Sequence, residues 1–571
     1  MTMHRTSPTF LIAASVVALL IHVGHAQAPQ GAPGSGPQGT PSAGTTGRPA
    51  GRAGTPGQPG GRTGAPAAPG GRAGGGAPAP TPLMQTPPKP AIANVRPVRS
   101  CESLASIALP HTTIESATID PANPGLCRIQ AFTTHPPNGD RVRIWIAIPT
   151  RNWNGRFMGT GGGGFSGGSA TGVNPAVASG FAAGATDTGH QGGSGSFALR
   201  GGRLDWQAIR NNAHVGIHEM TVTGKALTEA LYGVAPKYSY FNGCSTGGRQ
   251  ALMEVQRYPQ DYHGVVAGAP AINWQKLHMQ QMWGPVVMNA AGNPVAPCKL
   301  TAATGAAVAA CDGIDGVTDG VIEDPKRCAY DPRVLVGTAA GECGAFTDAD
   351  VTAIRRMWEG PRRADGSFLW YGLPRGADPR TLWATGGTPL RAQPFTISQE
   401  WIRYFLTQDP QFDAGTITPA GYERLWDQSL EQYGIVIGTD NPDLTAFRDR
   451  GGRAIVWHGW ADQLITAEGS IDYYTRIQQQ MGGAKKTSEF IRLFMAPGVA
   501  HCGGGAGPAP TGVIDALLAW VEENKAPETL PAVRRDGNVT RTRPLCPYPQ
   551  LAKYKGSGST NDAANFSCTG G

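Results

Sequence analysis

The chain has no acidic residue among its first 95 positions and no cysteine before Cys101. Residues 27–95 also contain few bulky apolar side chains, being almost entirely Gly, Pro, Ala, Ser, Thr and Gln. A stretch of that kind buries too little surface to offset its conformational entropy, so 27–95 is expected to be a flexible linker. Its glycines keep no strict Gly-X-Y period, which excludes a collagen helix. The apolar run at 10–23 is too short for a comfortable membrane span. With Arg5 before it and Gly24-His25-Ala26 after it, the run reads as a secretory signal over 1–26, cut before Gln27. A secreted or periplasmic chain with no membrane span after signal removal is therefore expected. The missing acids also explain the charge. Arg5, Arg48, Arg52, Arg62, Arg72 and Lys89 carry six of the seven net positive charges, leaving 96–571 close to neutral. The basic tail reads as a solubilising spacer, and no nucleic-acid partner is expected.

Ten cysteines form an even set that suits an oxidising compartment. Sequence proximity pairs Cys101 with Cys127, Cys311 with Cys328 and Cys546 with Cys568. Cys244 and Cys502 are matched by the chemical argument below, which leaves Cys298 with Cys343 by elimination.

From about residue 140, strand-like and helix-like segments alternate. Strands are expected at 141–148, 156–160, 238–241, 264–269, 453–457 and 490–495, and helices at 221–232, 248–258 and 512–523. Such alternation predicts an α/β fold with a mainly parallel sheet, helices on both faces and a ligand site at the carboxyl ends of the strands. The pattern breaks over 275–445, a stretch rich in Trp, Gly, Pro and Asp with four cysteines. This reads as a lid domain inserted between a first hydrolase part, 96–274, and a second, 446–571, and stapled because it lacks a large core of its own.

Gly243-Cys244-Ser245-Thr246-Gly247 lies between a β-prone run and a helical one. A G-x-S-x-G pentapeptide in that setting forces the serine onto a sharp turn, exposes its Oγ and aims the next backbone N–H at a developing oxyanion. Serine needs a base to take its proton and a carboxylate to orient that base. His501 and Asp462 follow later strands, in the chain order Ser, Asp, His of the α/β-hydrolase fold. Cys244 precedes the serine and Cys502 follows the histidine, so a disulfide between them would bring Ser245 and His501 side by side. His458 reads as a structural histidine. The glycine run 161–164 suits a second oxyanion donor, with Gly163 chosen to join Thr246. It lacks the Lys-[Ser/Thr] of a phosphate-binding loop. These features together predict an esterase.

At this point the chain resembles the tannase/feruloyl esterase family, which includes mono(2-hydroxyethyl) terephthalate hydrolase-like enzymes. The matching residues are Gly-Cys-Ser-Thr-Gly-Gly-Arg at 243–249, Arg257-Tyr258-Pro259, Ala267-Gly268-Ala269-Pro270, His458-Gly459-Trp460-Ala461-Asp462 and His501-Cys502. The resemblance covers 96–571 and implies an α/β-hydrolase fold with a large lid. It also implies Ser245 as nucleophile, His501 as base and Asp462 as orienter, with the Thr246 amide in the oxyanion hole. The implied partner is a small aromatic ester of gallate, ferulate or terephthalate-monoester type.

A loop at 311–321 carries Asp312, Asp315 and Asp319 among three glycines. Hard oxygen donors on a bent backbone suit calcium, and Asp-Gly repeats equally suit plain turns. The family resemblance implies a structural Ca2+ in the lid, held by the carboxylates of Asp312, Asp315 and Asp319 and the carbonyls of Val317 and Val321. Trp370, Trp383, Phe395, Trp401 and Tyr404 are candidates for an aromatic pocket, and Arg391 and Arg403 for a carboxylate contact. Two other classes are weighed: a serine peptidase of the same fold, for which no propeller repeat is present, and a non-catalytic surface-binding protein, which would be expected to have lost a triad member.

Overall fold

The computed structural model describes residues 83–570 apart from Gln85. The signal over 1–26 and most of the linker lie outside the described residues. The end of the linker differs from the expectation, because 83–95 lies along the body. Met84 is buried, Leu83 N–H donates to the Pro175 carbonyl, and Ala91 N–H donates to the Asn154 carbonyl. Met84 and Ile92 supply the apolar anchors that the preceding tract lacks.

Nine strands form the central sheet: β1 (Thr112–Asp120), β2 (Asn123–Thr133), β3 (Val142–Pro149), β4 (Arg156–Thr160), β5 (Ala182–Thr186), β6 (Tyr238–Cys244), β7 (Gly264–Gly268), β8 (Arg453–Gly459) and β9 (Ile491–Ala496). Their order is β1-β2-β3-β5-β4-β6-β7-β8-β9. The half from β5 to β9 is parallel, while β1, β2, β3 and β5 pair antiparallel. The pattern follows from burial. β4, β5 and β7 are buried along their whole length, as strands covered on both faces must be. β1 alternates exposed and half-buried positions, as an outer strand with one wet face does. Helices α1 (Gly216–Tyr232) and α2 (Thr246–Arg257) pack against the sheet with β3 to β7.

Between β7 and β8 the chain leaves the sheet for a helical region that includes α3 (Trp274–Gln281), α4 (Trp283–Ala291), α5 (Pro297–Cys311), α6 (Asp348–Glu359) and α7 (Pro419–Ile437). Thr347 and Asp350 close a capping box at the start of α6. This region does not lack a core. Trp283, Val287, Leu300, Met357, Trp383, Trp401 and Trp426 are buried in one cluster that runs on to Phe165 and Ile209 beneath it. The tryptophans that break the sheet-like pattern are what fill it.

After β9 come β10 (Ala509–Pro510), α9 (Val513–Glu523; α8 is Ala467–Gln480), β11 (Leu530–Asp536) and β12 (Val539–Leu545), then a hairpin of β13 (Leu551–Tyr554) and β14 (Phe566–Thr569). The backbone at 547–548 bonds to Phe494 and Leu493, covering the outer edge of β9. All ten cysteines are paired: Cys101–Cys127, Cys244–Cys502, Cys298–Cys343, Cys311–Cys328 and Cys546–Cys568. No helix among the described residues is long and apolar enough to cross a membrane.

Candidate active site

Ser245 stands between β6 and α2 at φ 63° and ψ −122°, a strained backbone for a non-glycine residue. Neighbouring bonds hold it there: its N–H donates to the Gly268 carbonyl at 3.0 Å, and its carbonyl accepts from Ala271 and Arg249, each at 3.0 Å. The turn is tight enough that a side chain at Gly243 would collide with the backbone of Gly247. Glycine is required there by the close approach.

Asp462 and His501 follow β8 and β9, so all three residues sit at the carboxyl ends of parallel strands. His501 Nδ1 lies 2.8 Å from Asp462 Oδ2, and the His501 N–H donates to Gln463 Oε1 at 3.0 Å. Asp462 is fully buried, and its Oδ1 accepts the amides of Leu464 and Ile465, both at 2.9 Å. Burial alone would raise this carboxyl, but bonds from His458 and His501 hold it well below the usual carboxylate range. His458 is structural, and it acts on the same aspartate. Its Nε2 lies 3.2 Å from both Asp462 Oδ2 and the Ile465 carbonyl, while Nδ1 meets Ser470 Oγ at 2.8 Å. Two acceptors at Nε2 assign the proton to that nitrogen. The disulfide Cys244–Cys502, with Cα atoms 5.9 Å apart, ties the serine turn to the histidine loop.

Ser245, Thr246, Gly163 and His501 line one cavity of about 410 Å³. Gly162 donates its N–H to Gln250 Oε1, whereas the amides of Gly163 and Thr246 have no acceptor among the described residues. The remaining wall is mostly apolar: Ala271, Trp274, Leu277, Phe395, Ile397, Leu464 and Ile465, with His278 and Gln281 as polar members. Of the aromatic residues singled out in the lid, Phe395 reaches this cavity. Trp370, Trp383 and Trp401 are buried in the core and Tyr404 packs against it. Arg391 and Arg403 do not line the cavity, and Arg403 donates instead to the Phe412 carbonyl. One face of α3, at 274, 277, 278 and 281, forms the wall that sequence reading missed. The i, i+3, i+4, i+7 spacing was the available signal.

His278 is held in place by its neighbours. Gln281 Nε2 donates to the Leu464 carbonyl, which turns Oε1 toward His278 Nδ1 at 2.9 Å. Burial pushes this imidazole down to about 4. A depressed histidine contributes stability that is full above its unfolded value of about 6.5 and is lost as pH falls toward its folded one. The thermal midpoint is therefore expected to drop more steeply from pH 6.5 to 4 in the wild type than in His278→Asn. Parallel curves measured by scanning calorimetry would contradict this.

No residue of the acidic loop lines the cavity around Ser245, but Val321 packs against Gly498 of the loop that carries His501. Asp312 accepts the amides of Asp319, Gly320 and Val321 at 3.0, 2.9 and 3.3 Å, and Asp315 accepts that of Val317 at 3.0 Å. Asp315, Asp319 and Glu323 line a small chamber of about 20 Å³ with Arg543, which bonds Asp319 at 2.6 Å. Burial raises all three carboxyls, with Glu323 pushed up to about 8, and neighbouring carboxylates add to the effect. Of the expected ligand residues, Asp315, Asp319 and Val321 line this chamber, while Asp312 and Val317 do not; the oxygen donors gathered there suit a hard cation. Among the described residues, a tight trio of ligand-type side chains lies elsewhere, at His218, Glu254 and Asp261.

The family model for tannase and feruloyl esterase matches residues 127–569. A probable feruloyl esterase of Arthroderma benhamiae is 38% identical over 478 residues, covering 80% of this chain and 86% of its own. The mono(2-hydroxyethyl) terephthalate hydrolase of Piscinibacter sakaiensis is 32% identical, covering 75% and 81%. The crystal structure of feruloyl esterase B from Aspergillus oryzae superposes with a TM-score of 0.72 at 27% identity, over 82% of this chain and all of that one. The chain belongs to the tannase and feruloyl esterase family and is a carboxylic ester hydrolase.

Proposed function

We propose that this chain is a secreted serine esterase that cleaves small esters of aromatic acids through an acyl-enzyme. The observation that carries the reading is the Asp462–His501 pair, 2.8 Å apart, with His501 lining the same apolar cavity as Ser245. In this mechanism His501 Nε2 takes the Ser245 proton as Oγ bonds to the ester carbon. The carbonyl oxygen becomes an oxyanion received by the Thr246 and Gly163 amides. The ester C–O bond then breaks, and the alcohol leaves with the proton from His501. Water repeats the sequence on the acyl-enzyme, releasing the acid and restoring Ser245. Asp462 keeps its charge throughout and fixes the imidazole. The apolar wall formed by Trp274, Leu277, Phe395 and Ile397 suits an aromatic acyl group of gallate, ferulate or terephthalate type. Five disulfides support an oxidising destination. Methyl gallate, methyl ferulate and terephthalate monoesters are expected to turn over while a peptide p-nitroanilide does not. Peptide turnover would select a peptidase, and turnover of neither would select a binding protein.

The same reading includes a structural Ca2+ held by the carboxylates of Asp312, Asp315 and Asp319 and the carbonyls of Val317 and Val321. The ion would offset the mutual repulsion of Asp312, Asp315 and Asp319, which Arg541 and Arg543 of β12 compensate only at Asp319. EDTA is expected to lower the thermal midpoint, and excess calcium to restore it. Saturation at 100 times Kd is worth about 2.7 kcal/mol to the native state. A midpoint unmoved by either addition would leave 312–321 as a disulfide-closed turn.

A further inference from the structure

An oxyanion donor has to be fixed to within about 0.5 Å, yet the loop after β4 reads Gly161-Gly162-Gly163-Gly164-Phe165-Ser166-Gly167-Gly168. Glycines impose no conformation of their own and lose the most entropy on being ordered. The order comes from the helix that begins at the nucleophile. Gln250, five residues after Ser245 on α2, is fully buried. Its Oε1 accepts the Gly162 N–H at 3.0 Å and its Nε2 donates to the Gly167 carbonyl at 3.1 Å, so one amide closes the neck of the loop. Thr246 Oγ1 donates to the Gly164 carbonyl at 2.6 Å, and the Gly247 N–H donates to that of Gly162 at 2.9 Å.

The far side is held by a π turn, Asn211–Val215, just before α1. Asn212 Nδ2 donates to the Phe165 carbonyl at 3.1 Å, and His190 Nε2 meets the same oxygen at 2.8 Å. The widened turn is itself clamped by Arg249, which donates to the carbonyls of Asn212 and Ala213 at 3.0 and 2.8 Å. Within the loop, the Gly163 carbonyl is taken by the Ser166 N–H. The Gly162 amide is spent on Gln250 and the Gly163 amide is left to the cavity.

We propose that Gln250 is the positioning residue of the oxyanion hole: by closing the loop between Gly162 and Gly167 it withdraws the Gly162 amide and presents that of Gly163, beside Thr246, to the developing charge. This rests on the serine-esterase reading. A residue that acts only on the transition state changes kcat and not ground-state binding.

Gln250→Met keeps the volume and removes both bonds. It is expected to lower kcat on a p-nitrophenyl ester by about 10²-fold, the typical loss for one oxyanion donor, with KM nearly unchanged. Inhibition by phenylboronic acid, whose serine adduct carries the oxyanion, should weaken by a similar factor while inhibition by the product acid stays constant. Gln250→Glu supplies a second readout. Its neutral acid reproduces both bonds, accepting from Gly162 and donating to Gly167, whereas its carboxylate cannot donate. The ratio of its kcat to that of wild type at the same pH should therefore rise as pH falls. If Gln250→Met keeps kcat within about threefold, or weakens product binding as much as boronate binding, the proposal is overturned. If that variant does not fold, a flat Gln250→Glu ratio overturns it. Ser245→Ala assayed alongside separates the two claims: activity surviving there removes the serine reading itself, whereas its loss with an unimpaired Gln250→Met removes only the role of Gln250.

Discussion

Ser245→Ala is expected to lower ester hydrolysis by about 10⁴- to 10⁶-fold, the range for triad removal in serine hydrolases. The fold should be unaffected, because the change deletes one oxygen from a half-buried side chain that makes no hydrogen bond through Oγ among the described residues. The strained turn is held by backbone bonds to Gly268, Ala271 and Arg249 that alanine retains. Residual turnover from the oxyanion loop and the apolar wall sets the floor. The check is kcat/KM on methyl ferulate together with the thermal midpoint. An unchanged midpoint with activity above about a hundredth of wild type would remove Ser245 from the mechanism.

A Cys244→Ala, Cys502→Ala double variant is expected to lose both stability and rate. The bond closes a loop of 258 residues, for which chain entropy gives about 5.5 kcal/mol. Its second effect is local. Cys244 is the last residue of β6, and Cys502, at φ 59°, sits in the turn beside His501. Freeing that turn moves His501 relative to Ser245, and on the proposed mechanism a displacement of about 1 Å costs on the order of a hundredfold in rate. The Cys546→Ala, Cys568→Ala variant is the control, since that bridge pins the terminal hairpin and lines no part of the cavity around Ser245. Both variants are compared at temperatures of equal residual stability. Equal losses of rate there would show that the first bridge only stabilises.

The serine turn was legible because its requirements are local: a strand, glycines at 243 and 247, and a helix. Asp462 and His501 were legible from chain order and from the flanking cysteines. The link between His458 and Asp462 was not, because i, i+4 spacing means contact on a helix and these residues span the end of β8 and a loop. Most of the parallel half of the sheet announced itself as continuous apolar runs, but β5 did not, because Ala182–Thr186 is a run of small residues with no large apolar side chain. β1 and β2 did not, since Thr112–Asp120 alternates weakly and ends in polar residues. The lid was misjudged for a related reason. Its tryptophans fall at no regular period, so only the assembled helices show that they form a core. The cavity wall on α3 was hidden because a helix face lining a cavity has the same composition as one facing a core.

β7 ends at Gly268 and β8, its hydrogen-bonded neighbour, begins at Arg453. The order in which the protein can be assembled follows from this. During synthesis the first seven strands emerge with β7 as an open, fully apolar edge, and the whole lid must be made before the strand that covers it exists. Cys244 waits longer still for its partner at 502, while Cys298, Cys311, Cys328 and Cys343 appear in between. In an oxidising compartment the emerging Cys244 would meet four other thiols before Cys502, so correct pairing there would call for disulfide exchange as well as oxidation. In a reducing cytosol the same chain would complete its sheet with the serine turn and the histidine loop untied.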